Sequence, residues 1–207
     1  LRYLVRFGLE KGHRVLEIGC GVGTLTGLVA AELEGSGEVV ALDLSPRSIE
    51  AARERLTSFQ KVRLLVADVF QAELHGAFDV VVLPDVIEHI PGARHPELFR
   101  RIAGWLAPEG MVVLHYPNPR FLAWCAEHRP EDLQHVDEPV WADALTAAAY
   151  PVGLTLEYLE TYSIWVREGD YQVALLRPRP ARPSFREIEE RPSLLQRARA
   201  WLGRLIR

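Results

Sequence analysis

The stretch Val15-Leu16-Glu17-Ile18-Gly19-Cys20-Gly21-Val22-Gly23-Thr24-Leu25-Thr26 constrains this 207-residue chain more than any other. Val15 to Ile18 is an apolar run that reads as a buried strand. Three alternating glycines break it, and helix-forming residues continue from Thr24 to Glu34. A strand-to-helix turn without Cβ atoms lets backbone amides approach a ligand closely. The pattern G-x-G-x-x-G needs Gly or Ala at its last position so that helix and strand can pack together. Here that position is Thr24.

Downstream the strand-then-helix rhythm repeats. Glu38 to Asp43 reads as a second strand with a carboxylate at its end, 24 residues after Gly19. A carboxylate there can accept hydrogen bonds from two ribose hydroxyls. The other reading of Asp43, a helix cap, is weakened because Ser45-Pro46 already starts the helix that runs to Leu56. Val62 to Val69 gives a third strand containing Asp68, which alone would be ordinary turn chemistry. Phe78 to Leu83 is a fourth strand, Gly92 to Leu106 a helix and Met111 to Tyr116 a fifth strand. Such βα units predict a parallel sheet covered on both faces, with ligands beyond the carboxyl ends of the strands. Leu1 to Glu10 reads as a leading helix, stopped at Lys11-Gly12.

The pattern changes after Tyr116. Residues 117–140 read as an irregular insertion holding Trp124, His128, Asp132, His135 and Glu138, where substrate contacts are expected. Trp141 to Tyr150 then reads as a helix, with Thr155 to Tyr162 and Asp170 to Leu176 as closing strands. The organisation predicted is a domain over 1–176, an Arg/Pro-rich linker over 177–192 and an amphipathic helix over 193–207. That helix would put Leu194, Leu195, Ala198, Trp201, Leu202, Leu205 and Ile206 on one face, ringed by arginines. It reads as docked on its own domain or in a homodimer, or as a peripheral membrane contact.

Charge narrows the partners. Residues 177–207 hold nine Arg against three Glu, so the net −4 of the chain divides into +6 there and −10 on residues 1–176. An acidic body argues against nucleic acid as partner. No apolar run reaches the ~20 residues of a membrane span, and no signal-peptide pattern opens the sequence. Cys20 and Cys125 are too few for a disulfide framework, so a reducing, cytoplasmic setting is expected.

Glu17-Ile18-Gly19-Cys20-Gly21-Val22-Gly23-Thr24, Asp43, Ala67-Asp68-Val69 and Asp85-Val86-Ile87-Glu88-His89-Ile90 together resemble the class I S-adenosylmethionine-dependent methyltransferases. Residues 13–176 are most similar to the small-molecule branch that includes the ubiquinone-pathway O-methyltransferases. The resemblance implies a doubly wound, seven-stranded, mostly parallel sheet ending in an antiparallel hairpin. It also implies S-adenosylmethionine as cofactor, held by Glu17, Gly19, Cys20, Gly21, Gly23, Thr24, Asp43, Leu44, Asp68, Val69 and Leu83. Glycine-turn amides and Thr24 would lie near the methionine moiety, Asp43 at the ribose and Asp68 at the adenine. The acceptor expected is a small molecule with a hydroxyl oxygen: a sugar, phenol, quinone precursor or small acid.

Methyl transfer from a sulfonium needs positioning and exclusion of water more than side-chain chemistry. A hydroxyl acceptor gains from a base, and His89, His115 and His135 are the candidates, since imidazole titrates near neutrality. Asp85, Glu88 and His89, spaced i, i+3, i+4, would share one face of a helical turn and could hold Mg2+ or Mn2+. The same residues also fit simple packing beside the cofactor. Leu83-Pro84-Asp85-Val86 lacks the Pro-Pro-aromatic pattern of enzymes that methylate base nitrogens, and neither cysteine is placed for cytosine chemistry. Two other readings share parts of the pattern: an NAD-dependent oxidoreductase, disfavoured by Thr24 and Asp68, and a non-catalytic S-adenosylmethionine-binding subunit.

Overall fold

The computed structural model describes residues 1–180. The helix expected over 193–207, and the linker expected over 177–192 from residue 181 on, lie outside the described residues. Seven strands form one sheet in the order β3-β2-β1-β4-β5-β7-β6. They are β1 (Arg14–Ile18), β2 (Glu38–Asp43), β3 (Val62–Val66), β4 (Phe78–Pro84), β5 (Leu106–Pro117), β6 (Leu154–Tyr162) and β7 (Tyr171–Pro178). β1 to β5 pair in parallel, while β7 runs antiparallel to both β5 and β6. This is the expected sheet with its closing hairpin.

Near-continuous apolar strands explain the arrangement. Val15 to Ile18 in β1 and Val80 to Leu83 in β4 are buried throughout, as strands covered on both faces must be. Six helices supply the cover: α1 (Arg2–Phe7), α2 (Thr24–Glu32), α3 (Pro46–Arg55), α4 (His95–Trp105), α5 (Pro119–His128) and α6 (Ala142–Ala149). One apolar cluster joins Leu98, Phe99 and Ile102 of α4 and Leu145 of α6 to Val81, Leu83, Val112 and Leu114. The other joins Leu4, Val29 and Ile49 to Val80, Val82, Val113 and Val173 across the sheet. The strand order reverses between β1 and β4, which opens a crevice at their carboxyl ends.

Several boundaries differ from the sequence reading, each for a local reason. α1 stops at Phe7 because Gly8 turns left-handed at φ 110°. α4 begins at His95, after a 3-10 turn over Gly92–Arg94. β7 continues through Arg177 and Pro178, with the Arg177 guanidinium donating to the Phe7 carbonyl at 2.7 Å. The largest correction is α5, which occupies the first half of the segment read as irregular. Asn118 caps it, its Oδ1 accepting from Arg120 N at 3.1 Å, and Pro119 takes the first helical position. Asn118 also donates from Nδ2 to Gly169 O at 2.6 Å, fastening α5 to the β6–β7 loop.

Candidate active site

The carboxyl ends of β1, β2, β3 and β4 surround a cleft of about 580 Å³. Of the residues expected to hold the cofactor, Gly19, Gly21, Asp43, Leu44, Asp68 and Val69 line it, joined by Phe70, Val86, Ile90 and Gln134. Gly19 must be glycine twice over: its φ is 76°, and a Cβ would lie 2.2 Å from Val86 Cγ2. Asp43 clamps the turn from below, its Oδ2 accepting from Gly21 N and its Oδ1 from Ser45 N, both at 2.8 Å. Each oxygen keeps a further lone pair for a ligand hydroxyl. Asp68 uses Oδ1 for Phe70 N at 2.8 Å and also faces the cleft. Leu44 is 71% exposed at the rim, an apolar side chain with no protein cover.

The other five expected contacts support the turn from behind. Gly23 packs against Leu56 and Ala52 of the α3 region, where a Cβ would stand 2.8 Å from Leu56 Cδ1. Thr24 points toward the same helix and accepts from Arg55 Nη1 at 3.0 Å. The Cys20 thiol is buried and pushed up to about 12, chiefly by desolvation, which makes it a poor nucleophile. Leu83 belongs to the core. Glu17 is only 1% exposed; its Oε2 accepts from Thr26 Oγ1 at 2.6 Å, while Oε1 is buried without a partner. Burial, reinforced by the charge of Asp43, raises its carboxyl to about 7 against the opposing Thr26 hydrogen bond.

Asp43 and Asp68 with lone pairs to spare, a turn where Gly19 leaves no room for a Cβ, and an exposed Leu44 together fit an adenosyl ligand. Asp43 and Asp68 would take its hydroxyl and amino donors, Leu44 and Val86 its apolar surface.

The three histidines part company. His89 lines the cleft, with Nδ1 2.8 Å from both Asp137 Oδ1 and Val136 O. Nδ1 therefore carries the proton, and Nε2 accepts from the Gln134 amide at 3.3 Å. His115, in β5, sits with Nδ1 3.1 Å from Asp85 Oδ1 and Nε2 2.6 Å from Tyr162 Oη. Its ring stacks on Tyr171 at 4.7 Å and 17°. His135 is exposed and stands outside the cleft.

Asp85, Glu88 and His89 do not share a helical face. Asp85 is left-handed at φ 52° and precedes a 3-10 turn over Ile87–His89, so it turns to His115 while His89 turns to Asp137. Among the described residues no three His, Cys, Asp or Glu side chains are grouped to hold a metal ion. Glu88 is 2% exposed, with one oxygen unpartnered. Desolvation, with Asp85 and Asp137 adding to it, pushes its carboxyl up to about 8.

Sequence reasoning missed several site residues. Gln134, Asp137 and Tyr162 come from parts of the chain with no motif. His95 is buried and donates from Nε2 to the carbonyls of Ile87 (3.1 Å) and Ile90 (2.9 Å), fixing the turn that carries His89. The pair His95-Pro96 at a helix start was its only sequence signal.

Comparison with known proteins agrees with this geometry. Residues 15–110 match the family model described as a methyltransferase domain. The chain is 30% identical over 170 residues to a trans-aconitate 2-methyltransferase of Mycobacterium sp. (strain KMS), covering 82% of this chain and 62% of that protein. It is 33% identical over 113 residues to a ubiquinone biosynthesis O-methyltransferase of Neisseria meningitidis serogroup C, covering 52% and 45% respectively. The chain thus spans less than two thirds of either relative. Among solved structures, N-methyltransferase NodS from Bradyrhizobium japonicum WM9 superimposes with a TM-score of 0.68 at 21% identity, covering 86% of this chain and 93% of that one.

Proposed function

We propose that this chain, whose residues 15–110 match a methyltransferase-domain family model, is a class I enzyme that transfers a methyl group from S-adenosylmethionine to a hydroxyl oxygen of a small acceptor. The observation that carries the reading is the convergence of Gly19, Gly21, Asp43 and Asp68 on one cleft from three separate βα units. When bound, the cofactor supplies an activated methyl carbon. The chain's own work is to hold and orient. Gly19 and Gly21 let the backbone approach, Asp43 and Asp68 accept hydrogen bonds, and Leu44 and Val86 cover apolar surface. Val86, Ile90 and Phe70 narrow the cleft against water, which favours an in-line encounter over hydrolysis.

A hydroxyl acceptor must give up its proton, and His89 and His115 each have a carboxylate on Nδ1 and an accepting Nε2. His89 stands among the cofactor-cleft residues, so its part is to position the adenosyl end. His135 has no such setting. The specific test is calorimetry of the full chain with S-adenosylhomocysteine and, separately, with NAD. Binding of S-adenosylhomocysteine alone is the expected result. Binding of NAD alone would overturn the reading. Tight cofactor binding without turnover on a panel of hydroxyl acceptors would favour a non-catalytic binding subunit instead.

A further inference from the structure

A second cavity, of about 390 Å³, opens on the α1 and α2 side of the sheet and shares Asp85 with the cofactor cleft. Its size is within the roughly 300–1,000 Å³ of small-molecule sites. Its walls include Leu4, Leu25, Val113 and Val173, with Asp85, His115 and Tyr162 grouped at one end and Leu1, Arg2 and Tyr3 also on the lining. Strand geometry places these groups together. Val113 and His115 stand two apart on β5 and so share a face, and His115 pairs with Val173 across the antiparallel β5–β7 ladder. Tyr162 pairs with Tyr171 on the far strand. Arg2, over the Tyr3 ring at 5.2 Å, is the cation among the lining residues.

The polar end is directional. Asp85 holds a left-handed conformation at φ 52°, a region that Asp enters more readily than most side chains. Two contacts to one residue keep it there: its amide donates to His115 O at 2.8 Å, and its carboxylate accepts from His115 Nδ1. With Nδ1 protonated, Nε2 accepts from the Tyr162 hydroxyl at 2.6 Å, and the Tyr162 oxygen keeps lone pairs for another donor.

From these contacts we propose that this cavity is the acceptor site, that it takes a compact apolar molecule with one ionisable hydroxyl, and that Tyr162, backed by His115 and Asp85, takes up that hydroxyl's proton. The inference rests on the methyltransferase reading. The acceptor oxygen forms a bond to the methyl carbon as the carbon–sulfur bond breaks, and the sulfur keeps that electron pair. The acceptor proton passes to Tyr162 Oη as the tyrosine's own proton passes to His115 Nε2. Asp85 stabilises the resulting imidazolium, which later releases its proton to water.

The probe is 4-nitrophenol, whose phenolate absorbance reports both binding and ionisation without turnover. The full chain saturated with S-adenosylhomocysteine is expected to bind it and to shift its ionisation. Val113→Phe, or Leu25→Phe should the first fail to fold, is expected to abolish probe binding and leave S-adenosylhomocysteine affinity within about twofold. Tyr162→Phe is expected to keep probe affinity, remove the ionisation shift and slow methylation of the probe by roughly 100-fold or more. Three results would overturn the proposal: no probe binding up to about 1 mM, probe and S-adenosylhomocysteine excluding one another, or unaltered probe binding in the cavity-filling variants. Failure of S-adenosylhomocysteine itself to bind would instead strike the methyltransferase reading.

Discussion

The two ends of the carboxyl edge are built differently. At the β1–β3 end, backbone and short side chains make the site: a glycine turn, and two aspartates that each accept an amide from their own neighbourhood. At the β4–β7 end, large side chains make it, with Asp85, His115, Tyr162 and Tyr171 meeting from four strands or their ends. The first end tolerates little change at Gly19, where a Cβ would meet Val86 at once. The second end is made of side chains, so a substitution there changes the shape and polarity of the site and not the path of the backbone. A shared Asp85 is the hinge between them.

Gly19→Ala should break the first end most severely. A left-handed alanine costs roughly 1–2 kcal/mol, and forcing Val86 aside adds about 1–3 kcal/mol. S-adenosylhomocysteine affinity measured by calorimetry is expected to fall by roughly 100-fold or more, with 4-nitrophenol binding much less affected. Next, Asp43→Ala removes the acceptor proposed for the ribose hydroxyls, one such charged hydrogen bond being worth about 1.5–3 kcal/mol. A loss of roughly 10- to 100-fold in the same titration is expected, and unchanged affinity would refute the assignment of Asp43.

Glu88, buried on the turn after β4, offers a test through pH. Its folded pKa of about 8 lies above the usual 4.5, so the native state keeps a proton that the unfolded state releases. Stability therefore falls as pH rises from about 4.5 to about 8, and is unaffected by this group below that window. Glu88→Gln should accordingly raise the melting temperature relative to the parent by an amount that grows across the same interval and then levels off. A pH-independent difference would show that Glu88 is not held neutral. The smallest effect on the site is expected of Asn118→Ala, which removes the α5 cap and the bond to Gly169 O at a combined cost of about 2 kcal/mol. Thermal unfolding should register a drop of roughly 4–8 °C, with cofactor affinity unchanged.

How far each end could be read beforehand follows from the same contrast. Gly19, Asp43 and Asp68 announced themselves because each sits at the end of an apolar run, where local periodicity fixes position. Glu17, Cys20, Gly23, Thr24 and Leu83 belong to the same runs, yet they shape the turn from behind it. Only packing against α3 and the core distinguishes the two roles. The segment 117–140 was read as irregular because its aromatic and charged residues lack a clean period. Asn118-Pro119 nevertheless carried a cap and a first-turn signal that locate α5. The i, i+3, i+4 spacing of Asp85, Glu88 and His89 implied a common face, and the positive φ of Asp85 dissolved it.

By itself the sequence determined the strand-and-helix alternation, the glycine turn and the acids that end the strands, since these depend on residues within one or two turns of chain. Tertiary structure alone decided which histidine met which carboxylate, that Tyr162 reached His115, and that two cavities shared one aspartate. Those outcomes depend on the order β3-β2-β1-β4-β5-β7-β6, which brings residue 162 beside residue 115 through two antiparallel pairings. Side-chain chemistry is written locally, but the distance between two side chains is a property of the sheet.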